Sequence, residues 1–177
     1  PCGHFVNCTS LQCSVNEFKD LEVICSWANN DLLRNFNNVN QGQFGNCSSL
    51  NWEVLPAKLR EVGYSTFIGC SNINIHTLPS TLTHSYGLIP GDWRYVPDTM
   101  QAMGAQSPQC TELSLPNNAN VNNFEGFNSN TITNVVFRGL TDNNCPFTKL
   151  PTFQSVKVDV FAIPNGVTTL RGNPFIN

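Results

Sequence analysis

Charge is what this sequence has least of. Charged residues make up only 12% of the 177-residue chain, well below the roughly 25% of an average soluble domain. The nine Lys and Arg residues are scattered singly and the formal net charge is -3, so no basic cluster can neutralise a phosphate backbone or an anionic lipid surface. The sequence therefore predicts neither a nucleic-acid partner nor binding to a membrane surface.

Long apolar runs are also missing. No stretch reaches the about 18 consecutive apolar residues of a membrane span, so we expect no membrane insertion. The first residues, Pro1 to His4, lack the charged-then-apolar order of a signal peptide. If the protein is exported, we therefore expect its signal to have been removed.

Signatures of enzymes and metal sites are absent as well. The chain contains no Gly-x-Ser-x-Gly elbow, no phosphate-binding glycine loop and no His-Glu-x-x-His. It has no Cys-x-x-Cys, and its three histidines are not at zinc-site spacing. The sequence predicts no enzyme, cofactor or metal. A secreted hydrolase stays as a third hypothesis, because His76, His84 and Asp92, or the carboxylates of Glu53 and Glu61, could converge in space.

Cysteine is present in an even number that suits export. Eight cysteines are compatible with four disulfides, in any of 105 pairings: Cys2, Cys8, Cys13, Cys25, Cys47, Cys70, Cys110 and Cys145. Two glycosylation sequons begin at Asn7 and Asn46. These features predict a secreted, disulfide-bonded glycoprotein, with free thiols as the alternative.

An internal repeat is the most informative feature of the chain. The segment 47–59 aligns with 70–82, so that Cys, Ser, an aliphatic residue, Asn, Leu-Pro and Leu recur 23 residues apart. An aliphatic-Pro-x-x-apolar-x-x-apolar pattern recurs at Leu55-Pro56, Val96-Pro97 and Ile163-Pro164, and Leu78-Pro79 follows it with Ser85 at the last position. The apolar positions are predicted to point inward, where the next coil covers them.

This spacing resembles extracellular leucine-rich repeat proteins over residues 47–175. The final segment 167–175, with its Asn-Pro-Phe turn, is similar to the closing coil of such proteins. The resemblance implies a β-rich, α/β-type repeat solenoid of about five to six coils. It also implies a disulfide-bonded N-terminal cap, residues 1–46, before a solenoid at 47–177. An all-β sandwich or a β-helix is the structural alternative.

The coarse secondary structure agrees with a β-rich solenoid. Strands are predicted at 111–115, 132–137 and 156–161, because short apolar runs there are bounded by Asn, Gly and Pro. One helix is predicted at 29–36, and 87–95 is predicted to be an inserted loop. The abundant Asn residues are predicted to hydrogen-bond along the stack and satisfy backbone groups in the turns.

The predicted ligand-binding residues lie on the concave sheet, which is the binding surface of repeat proteins. Phe161 and Tyr86 are the expected aromatic anchors. The full set is Glu61, Ser65, His84, Tyr86, Gln106, Arg138, Phe161 and Arg171. The sequence thus predicts a secreted binding module for a protein or glycan. The alternative is a self-associating extracellular matrix or surface-coat component.

Overall fold

A computed structural model describes residues 5–24, 42–141, 143–158 and 162–170, together with the backbone of 175–176. The described chain forms a β-solenoid of about five turns with almost no helix. The β-rich repeat fold is thus confirmed. The α/β label is wrong for the described residues, whose helical segments are two 3-10 turns, η1 (Val15–Phe18) and η2 (Ala119–Asn123). The helix predicted at 29–36 lies outside the described residues.

Eleven short strands build the solenoid. In chain order they are β1 (Val23–Ile24), β2 (Glu61–Val62), β3 (His84–Ser85), β4 (Ala102–Met103), β5 (Glu112–Leu115), β6 (Gly126–Asn128), β7 (Asn134–Phe137), β8 (Lys149–Leu150), β9 (Thr152–Gln154), β10 (Thr169–Leu170) and β11 (Phe175–Ile176). Every pairing between them is parallel, in the sheet orders β1-β2-β3-β4, β5-β7, β11-β9-β6 and β10-β8. Parallel pairing of segments about one repeat apart is what a coiled chain produces.

The Leu-Pro pattern forms the turn that precedes the first sheet. In two successive coils the amide of the second Leu donates to the Pro carbonyl, from Leu59 to Pro56 and from Leu82 to Pro79, each at 3.0 Å. The inward positions are buried as predicted, including Ser85, whose hydroxyl donates to the Gly87 carbonyl at 3.0 Å. The polar departure from the pattern is therefore satisfied inside the core.

The Asn residues satisfy backbone groups along the stack, as predicted. The side-chain amides of Asn118, Asn120 and Asn123 each donate at 3.1 Å to a carbonyl about one coil earlier. Asn122 accepts from the next coil, from the amides of Thr148 and Lys149 at 3.0 and 2.8 Å. These bonds join turns whose carbonyls would otherwise lack a backbone partner.

A second recurring turn runs through the N-terminal coils and carries three of the cysteines. In 5–8, 44–47 and 67–70 the Cys amide donates to the Phe carbonyl three residues earlier, at 3.2, 3.0 and 3.1 Å. The residue before each Cys has a positive φ: Asn7 61°, Asn46 60° and Gly69 72°. Asn and Gly adopt this conformation most readily, so the repeat dictates which residues stand there.

The disulfides of the predicted cap are not supported. The six described cysteines, Cys8, Cys13, Cys47, Cys70, Cys110 and Cys145, are free thiols, while Cys2 and Cys25 lie outside the described residues. Cys47 and Cys70 occupy equivalent turns, but their thiols donate to the Phe5 and Phe44 carbonyls at 2.8 and 2.9 Å. Each thiol thus bonds to a turn of the preceding coil instead of to the other thiol.

Two further predictions need correction and two are confirmed. The segment 87–95 is an ordinary part of the stack, because Ile89 and Trp93 are buried and Gly91 bridges to Ile75. Residues 156–158 are not in a strand, since β9 ends at Gln154. The strands predicted at 111–115 and 132–137 match β5 and β7.

Candidate functional site

The sheet formed by β1 to β4 presents an exposed cluster of aromatic and aliphatic side chains. We call it the tyrosine face and define it by Glu61, Tyr64, Ile68, His84, Tyr86 and Leu88. Glu61 of β2 is the Cα partner of His84 of β3, and each strand is followed within three residues by a tyrosine. The parallel register of the sheet therefore brings the two tyrosines together.

The rings of the tyrosine face contact one another. Tyr64 and Tyr86 stack with centroids 5.8 Å apart and planes 19° apart, and His84 lies 5.8 Å from the Tyr86 ring on its other contact. Stacked aromatic pairs at such distances stabilise each other beyond the burial of their area. The cluster is thus held in one arrangement before any ligand arrives.

Large apolar side chains remain exposed beside these rings. Tyr64 is 47% exposed, Leu88 47% and Ile68 37%. Together with Ser65, Phe67, Tyr86 and Gly87 they line a shallow depression of about 210 Å³. A contiguous exposed apolar patch on a soluble domain marks an interaction surface more often than scattered apolar residues do.

The tyrosine hydroxyls lie in a partly desolvated and acidic setting. Burial raises the pKa of Tyr86, and the Glu61 carboxylate and Tyr64 raise it further. Burial likewise raises the pKa of Tyr64, with the Glu125 carboxylate as the second cause. Both rings therefore stay neutral at physiological pH and sit in a negative potential.

The structure brings four of the predicted site residues together on this face. Glu61 and His84 are paired in the sheet, Tyr86 stacks on Tyr64, and Ser65 lines the depression with a φ of 55°. Tyr64, Ile68 and Leu88 were missed by the sequence reasoning. Their signal was the short spacing from β2 and β3, because residues just after paired strands must also be neighbours.

Gln106 is not on this surface. Its side chain is 1% exposed, its carbonyl oxygen accepts from the Ile89 amide at 3.0 Å, and its amide donates to the Gly87 carbonyl at 2.9 Å. The outward placement was wrong because the chain turns after β4 ends at Met103. Residue 106 then becomes the Cα partner of the buried Phe127.

Arg138 lies on a different sheet. It follows β7, which pairs with β5 and not with β1 to β4, and its guanidinium donates to the carbonyls of Ser114 and Val96 at 2.8 and 2.7 Å. The guanidinium carbon sits 3.8 Å from the centre of the Tyr95 ring, and an ion pair joins it to Asp98 at 2.5 Å. Phe161 and Arg171 lie outside the described residues.

The candidate catalytic groups do not form one constellation. His76 and Asp92 pair at 2.5 Å across adjacent coils, and both side chains are 46% exposed. His84 instead lies beside Tyr86, and the Thr83 hydroxyl is 3.0 Å from its Nδ1. Within the described part of the chain, no group of three or more His, Cys, Asp or Glu residues could hold a metal ion.

The two sequons differ in their surroundings. The Asn46 side-chain amide donates to the Asn7 side-chain carbonyl at 2.9 Å, so the nitrogen that a glycan would need is engaged at Asn46. Asn7 is exposed and acts as the acceptor. Glycosylation of either residue stays a prediction.

Comparison with known proteins now adds to the geometry. A parallel solenoid with a repeating Leu-Pro turn and an exposed sheet defines a repeat protein whose surface, and not a cleft, is its working part. Residues 16–87 match the family model of the BspA type leucine rich repeat region (6 copies). The chain is therefore a leucine-rich repeat protein, and the match begins at residue 16, inside the segment predicted to be a cap. Neither a curated protein nor a solved structure matches the chain.

The family places the chain in a broad functional class. Leucine-rich repeat regions generally serve as non-enzymatic protein-interaction or surface modules. BspA-type repeat proteins are typically found at the surface or secreted. In the described ranges no helix is long and apolar enough to cross a membrane. The tyrosine face, which lies largely within the matched residues 16–87, is the surface that fits such a module best.

Proposed function

We propose that this protein is a secreted or surface-exposed recognition module that binds a protein ligand through the tyrosine face. The observation that carries the proposal is the stacked pair of Tyr64 and Tyr86 beside the exposed Ile68 and Leu88. Tyrosine is enriched among the residues that dominate binding energy at protein interfaces, because it buries a large area at low conformational cost. A preorganised pair lowers that cost further.

A protein ligand is favoured over a glycan by the orientation of the rings. The two rings face each other at 19°, so their mutual contact takes up one face of each ring. A sugar platform needs open ring faces, whereas a protein side chain can enter the depression between Ile68 and Leu88 and contact the ring edges.

The test is a selection for ligands on the intact chain. A phage-displayed random peptide library is panned on the wild-type protein, and the selected peptides are measured against Tyr86→Ala and Tyr64→Ala. Loss of a hot-spot aromatic residue costs about 2 kcal/mol or more, so we expect affinity to fall about thirtyfold. Tyr95→Ala is the matched control, because Tyr95 is 48% exposed but lies apart from the tyrosine face. We expect that variant to bind within about twofold of the wild type.

Three results would overturn the proposal. Peptides whose binding is indifferent to both tyrosine variants would move the binding surface elsewhere. Glycan-array binding that Tyr86→Ala removes, with no peptide selected, would replace the protein ligand by a glycan. Sedimentation velocity showing concentration-dependent oligomers that Tyr86→Ala dissolves would make the face a self-association surface and the protein a coat component.

A further inference from the structure

Carboxylates flank the rings of the tyrosine face, and this gives the face a preferred ligand chemistry. Glu61 stands in β2, directly beside His84 of β3, and Tyr86 follows His84 by two residues. Glu125 acts on Tyr64, and its side chain is exposed. A negative potential next to neutral aromatic rings attracts a cation, because the ring face is itself electron-rich.

The same chain contains a filled example of this arrangement. On the β5-β7 side, the Arg138 guanidinium lies 3.8 Å from the centre of the Tyr95 ring, and the Asp98 carboxylate pairs with the same guanidinium. Tyrosine, carboxylate and guanidinium thus form one unit there. On the tyrosine face the first two elements recur, with two rings in place of one.

We infer that the tyrosine face is built to receive an arginine side chain of a protein partner, with its guanidinium against the Tyr64 and Tyr86 rings and beside the Glu61 carboxylate. This inference rests on the proposed function. Arginine is favoured over lysine because the planar guanidinium stacks on aromatic rings and is more weakly hydrated than an ammonium. It is favoured over an aliphatic side chain because the flanking groups are charged.

The three tyrosines of the chain make the inference directly measurable. With ¹³C-labelled tyrosine, the ring resonances of Tyr64, Tyr86 and Tyr95 are followed while N-acetyl-arginine methylamide is added to the full chain. The lysine and norleucine methylamides are added in parallel experiments. Tyr95 is an internal control, since Arg138 already covers its ring.

We expect the arginine compound to shift the Tyr64 and Tyr86 resonances saturably and to leave Tyr95 nearly unmoved. The arginine compound should bind about fivefold more tightly than the norleucine compound, the range of an exposed cation–π contact. Glu61→Gln should remove most of that difference. Glu112→Gln, which changes an exposed carboxylate on β5, should leave the difference intact.

Equal shifts from norleucine and arginine, or equal shifts at all three tyrosines, would overturn the inference. Lysine binding as tightly as arginine would overturn the choice of guanidinium. If selected peptides bind the tyrosine face but contain no arginine, this inference fails while the proposed function stands. If no peptide depends on Tyr64 or Tyr86, the proposed function fails first.

Discussion

Two regions of the solenoid fill the same kind of interior position by different means. In the N-terminal coils, Phe44 stacks between Phe5 and Phe67, with centroids 5.3 and 6.0 Å away and nearly parallel planes. In the middle of the molecule, the inward position in line with Phe127 and Phe153 is occupied by Gln106. One region is stabilised by aromatic stacking, the other by hydrogen bonds of a buried amide.

The difference follows from coil length. The N-terminal coils advance by 23 residues between Leu55 and Leu78, whereas the next step, from Leu78 to Val96, is 18. The shorter coil is compatible with buried Ile89 and Trp93, and the Gln106 side chain pairs with the Ile89 amide and the Gly87 carbonyl. A buried polar side chain is thus stable where it supplies backbone groups with partners.

The largest effect is expected from emptying the aromatic stack. Phe44→Ala should lower the free energy of unfolding by about 4 kcal/mol, because the buried ring is lost and a cavity remains. Phe44→Leu is the matched control, and it should cost about 1.5 kcal/mol since it keeps most of the volume. Urea unfolding followed by circular dichroism measures both. Equal losses for the two variants would mean that the stack contributes no specific packing.

Replacing the buried amide should cost nearly as much. Gln106→Leu leaves the Ile89 amide and the Gly87 carbonyl without partners, and each unsatisfied buried group costs about 1–3 kcal/mol, so we expect a loss of about 3 kcal/mol in all. Gln109→Leu is the control, because Gln109 is exposed and bonds only locally, to the Ser107 carbonyl. The same urea titration applies. A stable Gln106→Leu protein would show that the short coil does not depend on the amide.

A smaller effect is expected at the glycine of the third Phe-x-x-Cys turn. Gly69 has a φ of 72°, and an added Cβ would lie 2.1 Å from the Asn46 side-chain oxygen. Gly69→Ala should therefore cost about 2 kcal/mol, from the left-handed backbone and the displaced Asn46 side chain. Gly139→Ala has a φ of 64° but open space around it, so only the backbone part, about 1 kcal/mol, is expected. Melting temperatures compare the two. A Gly139→Ala protein no more stable than Gly69→Ala would argue against the close contact.

The smallest effect on stability, but a sharp one in chemistry, is expected at the thiols. Burial and the neighbouring Cys70 raise the pKa of the Cys47 thiol from 9.0 to about 11. Between these values the unfolded state binds fewer protons than the folded state, so stability should be complete below pH 9 and decline as the pH rises toward 11. A brief iodoacetamide pulse at pH 8, read by peptide mass spectrometry, should label the exposed Cys8 and spare Cys47 and Cys70. Uniform labelling, or no labelling because all thiols are paired, would contradict the free, buried arrangement.

Much of the repeat could be predicted from residue patterns because the pattern and the fold share one cause. The Leu-Pro units place Leu55, Leu59 and Val62 inward wherever the coil is regular, so the buried positions follow from counting. The fourth unit is different, since Ile163 and Leu170 are 49% and 43% exposed. Counting fails where neighbours decide burial, because an inward residue is buried only if an adjacent coil covers it.

The sequence by itself determined that the chain is a leucine-rich repeat with short parallel strands, since the 23-residue spacing and the Leu-Pro turns require a stack. It also determined that Glu61, His84 and Tyr86 belong to one sheet. Only the tertiary structure decided that Tyr64 joins Tyr86, that Arg138 lies on another side and that Gln106 is buried. The thiols of Cys47 and Cys70 were likewise decided there, by carbonyls of the preceding coil. The physical reason is that a period specifies which residues are equivalent, whereas coil length and neighbouring backbone groups specify where each side chain points.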